Sequence, residues 1–134
     1  MALQLDDLGL PSALAALAND VTRRTGLVVE RRIAPDLPAL DPEEELVVYR
    51  VAQEALTNVV RHAGASSAQL LLEPHDGSVE LCVRDGGEGF NPDVATGAGL
   101  LGMRERAVLI GAELAVRSGV GAGTTVRLRL MGRA

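Results

Sequence analysis

The sequence predicts a two-layer α/β sandwich, a mixed five-stranded sheet with three helices on one face. Three observations carry that prediction. The periodic segments run in the order α, β, α, β, β, loop, α, β, β, so strict βαβ alternation fails. Two strand pairs are joined by turn-rich hairpins. The chain has 134 residues, of which 47% are apolar and 23% charged, enough for one domain with a core of its own.

Each element has its own signals. Leu10-Pro11-Ser12 opens the first helix, with Pro11 suited to a first turn. Leu14, Leu17, Ala18 and Val21 follow at helical spacing, and Gly26 fits the C-terminal cap. Leu27 to Ile33 reads as a strand, and Pro35, Pro38 and Pro42 mark a loop. The second helix has the strongest start in the chain. Asp41 caps it, Pro42 takes the first position, and Glu43, Glu44 and Glu45 load the positive end of its dipole. Its apolar stripe, Val48, Val51, Ala52, Ala55, Leu56 and Val59, predicts a run to Ala63, stopped by Gly64. Ala68 to Glu73 and Val79 to Asp85 are strands across the turn His75-Asp76-Gly77-Ser78. Gly86 to Gly99 is a glycine-rich loop. Leu100 to Ile110 is the third helix, closed by Gly111. Glu113 to Arg117 and Thr124 to Leu130 form a terminal hairpin. No internal repeat, low-complexity tract or second domain is visible.

Composition excludes several function classes. The net charge of −5 argues against a phosphate-backbone partner, so no nucleic acid is expected. All 13 basic residues are Arg, which removes P-loop, Schiff-base and kinase-strand lysines together. Tyr49 and Phe90 are the only aromatics, too few for a base-stacking platform. The single cysteine, Cys82, rules out an internal disulfide and a cysteine zinc site, and suggests a strand thiol in a reducing compartment. No serine sits in a nucleophile elbow, and His62 and His75 are too few for a metal cluster. No apolar run approaches the ~20 residues of a membrane span, and Met1 to Asp7 lacks the features of a secretory leader. A nucleotide would have to be held by backbone amides, carboxylates and aliphatic walls.

Four groups of residues carry chemistry. Arg50, Glu54, Asn58 and His62 step by four along the second helix, with Arg61 beside them. Such a stripe can hold a hydrated divalent cation and phosphate oxygens; it also reads as a solvated face with an Arg50–Glu54 ion pair. Asp85-Gly86-Gly87-Glu88-Gly89-Phe90 follows a strand. Asp85 can accept from an exocyclic amine, while Asp and Gly are equally the default residues of a strand-end turn. Gly97-Ala98-Gly99-Leu100-Leu101-Gly102 matches the dinucleotide fingerprint, but no strand precedes it and Glu113 is too near to serve as the ribose carboxylate. What survives is a glycine-rich loop entering a helix N-terminus, an anion site by dipole and free amides, to which Arg104 and Arg106 can add charge. Gly121-Ala122-Gly123-Thr124-Thr125 offers hydroxyls to a ligand, and a tight hairpin explains it equally well.

Taken together, these motifs resemble one superfamily. Glu54-x-x-x-Asn58-x-x-Arg61-His62 is similar to its N box, Asp85-x-Gly87-x-Gly89-Phe90 to its G1 box, and Gly97-x-Gly99-Leu100-x-Gly102-Met103 to its G2 box. Their order and spacing resemble the Bergerat-fold ATPases of gyrase, Hsp90 and histidine kinases, over roughly residues 40–130. Within that group the chain is most similar to the catalytic domain of nitrate-sensor-type sensor histidine kinases. Gly102-Met103-Arg104-Glu105-Arg106-Ala107 and the short loop between G1 and G2 carry that likeness, as does Leu5 to Leu10, which resembles the segment leaving the dimerisation helices.

The resemblance implies roles. ATP and Mg²⁺ are the implied ligands. Asp85 would bind the adenine amine, Asn58 would ligate Mg²⁺, and Glu54 would orient metal-bound water or assist proton movement as the catalytic residue. Gly97, Gly99 and Gly102 would form a lid and cradle phosphate. Arg61 and His62 would be secondary phosphate or ribose contacts. Gly87, Gly89, Leu100, Met103, Thr124 and Thr125 complete the implied ATP site. Residues 1–10 would be the remnant of a linker from a dimerisation helix, with 11–134 the ATP-binding domain. The implied partners are the dimerisation and phosphoacceptor domain of the same kinase and, indirectly, a response regulator, with no membrane contact by this domain and a cytoplasmic location. A free-standing anti-sigma-factor serine kinase and a degenerate nucleotide-binding scaffold are the competing implications.

Overall fold

A computed structural model of the chain describes residues 5–63, 65–87, 98–118 and 123–130. Its elements are α1 (Leu5–Thr25), β1 (Val28–Ile33), α2 (Pro42–Asn58), β2 (Ser67–His75), β3 (Ser78–Asp85), α3 (Ala98–Leu109), β4 (Glu113–Ser118) and β5 (Thr124–Arg129). The five strands form one sheet in the order β1-β2-β3-β5-β4. β1 and β2 are parallel, and the other pairs are antiparallel. The sheet is therefore mixed, as the failed βαβ alternation predicts.

Strand alternation builds the core. Leu70, Leu72, Leu81, Val83, Val126 and Leu128 point to one face and are buried there. Leu14, Val48, Val51, Leu56 and Met103 meet them from the helices. α1 packs on β1 and α2, α2 on β3 and β5, and α3 on α2 and β4. Each large aliphatic side chain buried in this way contributes about 1.5–3 kcal/mol. The other face is polar, with Gln69, Glu80, Arg84, Arg127 and Arg129 in cross-strand register. Glu80 bridges Arg127, at 3.3 Å, and Arg129. Its hydrogen bond holds the Arg129 guanidinium above its ordinary pKa. Cys82, in register between Leu71 and Arg127, is buried even on this face.

The helix ends follow local chemistry. At Asp41 the capping box is complete: Asp41 Oδ1 accepts from the Glu44 amide at 2.8 Å, and Glu44 Oε1 accepts from the Asp41 amide at 3.0 Å. α1 begins earlier than Pro11 but is broken at Gly9 (φ 79°, ψ 170°), so Pro11 still lies in the first turn of its main part. α2 does not continue as α-helix to Ala63. Val59–Ala63 is a π turn, a wider ring that takes the residues after Asn58 off the four-residue stripe. β2 and β3 join through Asp76 and Gly77, both at positive φ (48° and 78°), the conformation of a tight hairpin turn.

Chain direction gathers one end of the sandwich. β1 starts beside Ser67, so α2, which follows it, begins at the far end and returns to the end where β2 starts and β3 finishes. α3 precedes β4, whose first residue pairs with Arg129 at the far end, so the N-terminus of α3 lies at the near end. The near end thus holds the C-terminus of α2, the end of β3, the start of α3, the end of β4 and the start of β5. There β5 crowds β3: a Cβ on Gly123 (φ 75°) would sit 2.3 Å from the Asp85 carbonyl oxygen.

Two stability predictions follow from these contacts, both measurable by urea denaturation. Asp41→Ala removes the cap and should lower stability by about 0.5–2 kcal/mol. Gly111 and Gly123 both have positive φ, but only Gly123 meets a neighbour's backbone. Gly111→Ala should cost about 1–2 kcal/mol, the left-handed penalty alone, and Gly123→Ala distinctly more. Equal costs would refute the close approach.

Candidate functional site

Asp85 is the last residue of β3 and takes both roles its sequence context allows. Oδ1 accepts from the Gly87 amide at 2.7 Å, closing the strand-end turn. Oδ2 is buried and has no hydrogen-bond partner among the described residues. A buried carboxylate oxygen without a donor costs about 1–3 kcal/mol or more. An amine donor from a ligand would satisfy it, so the residues present fit an adenine. The Gly87 amide is already committed to Asp85, so Gly87 supports the carboxylate. Gly89 and Gly97, the latter one of the three expected lid glycines, lie outside the described residues.

The row of residues at this sheet end is polar. Asp85 pairs with Thr124, and Thr124 pairs with Ser118, all on the helix-bearing face. The next two rows inward, Val83–Val126–Val116 and Leu81–Leu128–Leu114, are apolar throughout. Ser118 Oγ lies 2.8 Å from Thr124 Oγ1 and donates to the Gly123 carbonyl at 3.2 Å. Thr125 departs from the expected site. It pairs with Arg84 and Arg117, and alternation turns it to the opposite, open face.

On α2, Glu54 and Asn58 are half-buried and lie one turn apart. Arg50 donates to Gln53 Oε1 at 3.0 Å rather than pairing with Glu54. Among the described residues neither Glu54 nor Asn58 has a side-chain hydrogen bond or ion pair, which leaves their oxygens for water or a cation. Arg61 is exposed on the π turn, which His62 shares. The stripe of four is therefore interrupted after Asn58.

α3 separates two jobs that the motif residues seemed to share. Leu100 (9% exposed) and Met103 (1%) belong to the core with Ala107, on the face turned toward α2. Their side chains are packing residues, which leaves only their main chain for the expected contact with ATP. Gly99 lies in the first turn, at the positive end of the helix. Gly102 lies under Arg106: a Cβ there would be 3.1 Å from Arg106 Nη1. Arg106 thus leans back along the helix toward its N-terminal turn, as helical side chains do. The sequence had not assigned Gly123 or Ser118 to the site. The signal was the Gly-Thr step opening the last strand, with Ser118 across the hairpin from it.

The chain matches the family described as histidine kinase-, DNA gyrase B- and HSP90-like ATPase over residues 43–133. It is 39% identical over 127 residues to the sensor histidine kinase MctS of Rhizobium johnstonii, covering 91% of this chain and 27% of that protein. It is 34% identical over 129 residues to the oxygen sensor histidine kinase NreB of Staphylococcus carnosus, covering 94% of this chain and 37% of that protein. Among solved structures it is similar to the blue-light activated histidine kinase of Erythrobacter litoralis EL346. The TM-score is 0.75 at 25% identity, over 90% of this chain and 41% of that one. The chain spans 27% and 37% of the two curated relatives, well under half of either. The family match covers well over half of the chain, residues 43–133, and the chain belongs to the histidine kinase-, DNA gyrase B- and HSP90-like ATPase family.

Proposed function

We propose that this chain is the ATP-binding catalytic domain of a sensor histidine kinase, working with Mg²⁺. The observation that carries the reading is the buried Oδ2 of Asp85, which has no partner among the described residues. An ionised carboxylate only accepts hydrogen bonds, so it welcomes the adenine amine and repels the carbonyl that guanine carries in the same place. The relatives named above are sensor kinases. That favours this reading over a free-standing serine kinase or a scaffold that only holds nucleotide.

Phosphoryl transfer is mostly positioning and charge neutralisation. Bound with the nucleotide, Mg²⁺ supplies charge to the phosphates and fixes their orientation. Asn58 is the residue that would hold it, through one amide oxygen, in keeping with a cation that keeps most of its waters. Glu54, one turn earlier, orients water or takes a proton. The amides at the start of α3 and the Arg106 guanidinium provide the positive field that a P-loop lysine supplies elsewhere. Arg61, His62 and Gly99 are secondary contacts of the phosphate end. The acceptor is a histidine on a dimerisation domain, and a response regulator receives the phosphoryl group from it. The domain works on the cytoplasmic side; among the described residues no helix is long and apolar enough to cross a membrane.

Calorimetry should show ATP bound in preference to GTP. Asp85→Asn should weaken ATP at least tenfold, the worth of a charge-assisted hydrogen bond of ~1.5–3 kcal/mol. Equal affinities for the two nucleotides in the unmodified chain would defeat the assignment. Incubated alone with labelled ATP and Mg²⁺, the chain should acquire no acid-labile label. Adding the matching dimerisation domain in trans should produce phosphohistidine on that domain. Stoichiometric label on His62 or His75 would contradict the division of labour.

A further inference from the structure

We infer that Ser118 is a positioning residue that sets the purine preference of the site by fixing which way the Thr124 hydroxyl points. The inference rests on the ATP reading above and adds a specificity device to it.

The argument is one of proton counting. A serine hydroxyl has one proton. Ser118 Oγ donates it to the Gly123 carbonyl, an acceptor only, at 3.2 Å. Either hydroxyl could donate in the 2.8 Å contact between Ser118 Oγ and Thr124 Oγ1; with the Ser118 proton on the carbonyl, that donation is assigned to Thr124. Thr124 is left with lone pairs and no proton to offer. It stands in direct cross-strand register with Asp85, on the same face. Asp85 Oδ2, buried and without a donor among the described residues, is also an acceptor only. The last rung of the sheet thus presents two acceptors together. An amine with two protons answers both; a purine carbonyl meets two lone-pair donors and no hydrogen.

Gly123 makes this arrangement possible. Its positive φ (75°) turns the chain into β5 so closely that any side chain would strike the Asp85 carbonyl. That approach places the Gly123 carbonyl within reach of Ser118 and Thr124 opposite Asp85 in one step. Ser118 comes from β4, the edge strand, and acts on the purine edge only through Thr124. Without it, the Thr124 hydroxyl is free to rotate and to donate, and the site loses its bias against a carbonyl.

The test measures ATP and GTP affinities by calorimetry for the unmodified chain, Ser118→Ala, Ser118→Thr, Thr124→Ala and the double variant Ser118→Ala/Thr124→Ala. Thermal unfolding of each variant is followed in parallel. The ATP-over-GTP preference should fall by roughly 5- to 10-fold in Ser118→Ala, the scale of one net hydrogen bond. Part of that fall should come from tighter GTP binding, which a loosened or partly unfolded site would not give. Ser118→Thr keeps the hydroxyl and should keep the preference. In the Thr124→Ala background, removing Ser118 should change nothing further. An unchanged preference in Ser118→Ala, equal weakening of both nucleotides, or an undiminished Ser118 effect without Thr124 would each overturn the inference while leaving ATP binding intact. Failure of the unmodified chain to bind ATP would instead remove the underlying reading and this inference with it.

Discussion

The near end of the molecule depends on how closely β5 can approach β3 at Gly123. With no Cβ and a left-handed backbone, Gly123 lets the chain turn directly against the Asp85 carbonyl. That contact fixes the register of the last rung, and the register fixes what shares a face. Shifted by one residue, Thr125 would stand opposite Asp85 and Thr124 would face the open side. The apolar rows behind it, Val83–Val126–Val116 and Leu81–Leu128–Leu114, hold the same register from the core side. Core packing and site geometry are therefore one constraint seen from two ends of the same strands.

Asp85 shows why a turn residue and a ligand residue need not be alternatives. One carboxylate oxygen closes the turn on the Gly87 amide, which immobilises the group. The other oxygen is buried and has no partner among the described residues. The strand-end turn supplies the rigidity and the ligand removes the desolvation cost. α3 divides labour in a similar way. Leu100 and Met103 anchor the helix in the core, so that its first turn, with Gly99, and Arg106 leaning over Gly102 present amides and charge at the near end.

Local chemistry made most of the fold legible in the sequence. The Asp41 cap, the Asp76-Gly77 turn and the alternation of β3 each rest on neighbours a few residues apart, and each appears as expected. Asp85, Glu54 and Asn58 stood out through the ordered motifs they belong to, and Asn58 also because Asn is a poor mid-helix residue. The sequence could not show what depends on distant partners. The spacing of Glu54, Asn58 and His62 is that of an α-helix, and nothing local announces the π turn at Val59. Thr124 and Thr125 look alike until strand register separates their faces. Leu100 and Met103 lie inside a motif, yet their burial is decided by α2. Ser118 and Gly123 matter only through a hairpin and a neighbouring strand.

The open face of the sheet has a consequence of another kind. Its positive groups on β3, β4 and β5 are guanidiniums, with Arg127 and Arg129 tied to Glu80. A guanidinium does not lose its proton at any pH the fold survives. The cationic part of this surface therefore does not respond to acidification or alkalinisation. Ionic strength is the variable that tunes it, since dissolved ions shorten the reach of exposed charges to about 8–10 Å at ordinary salt. Among solution conditions, this half of the domain is responsive to salt and indifferent to the protonation of its cations.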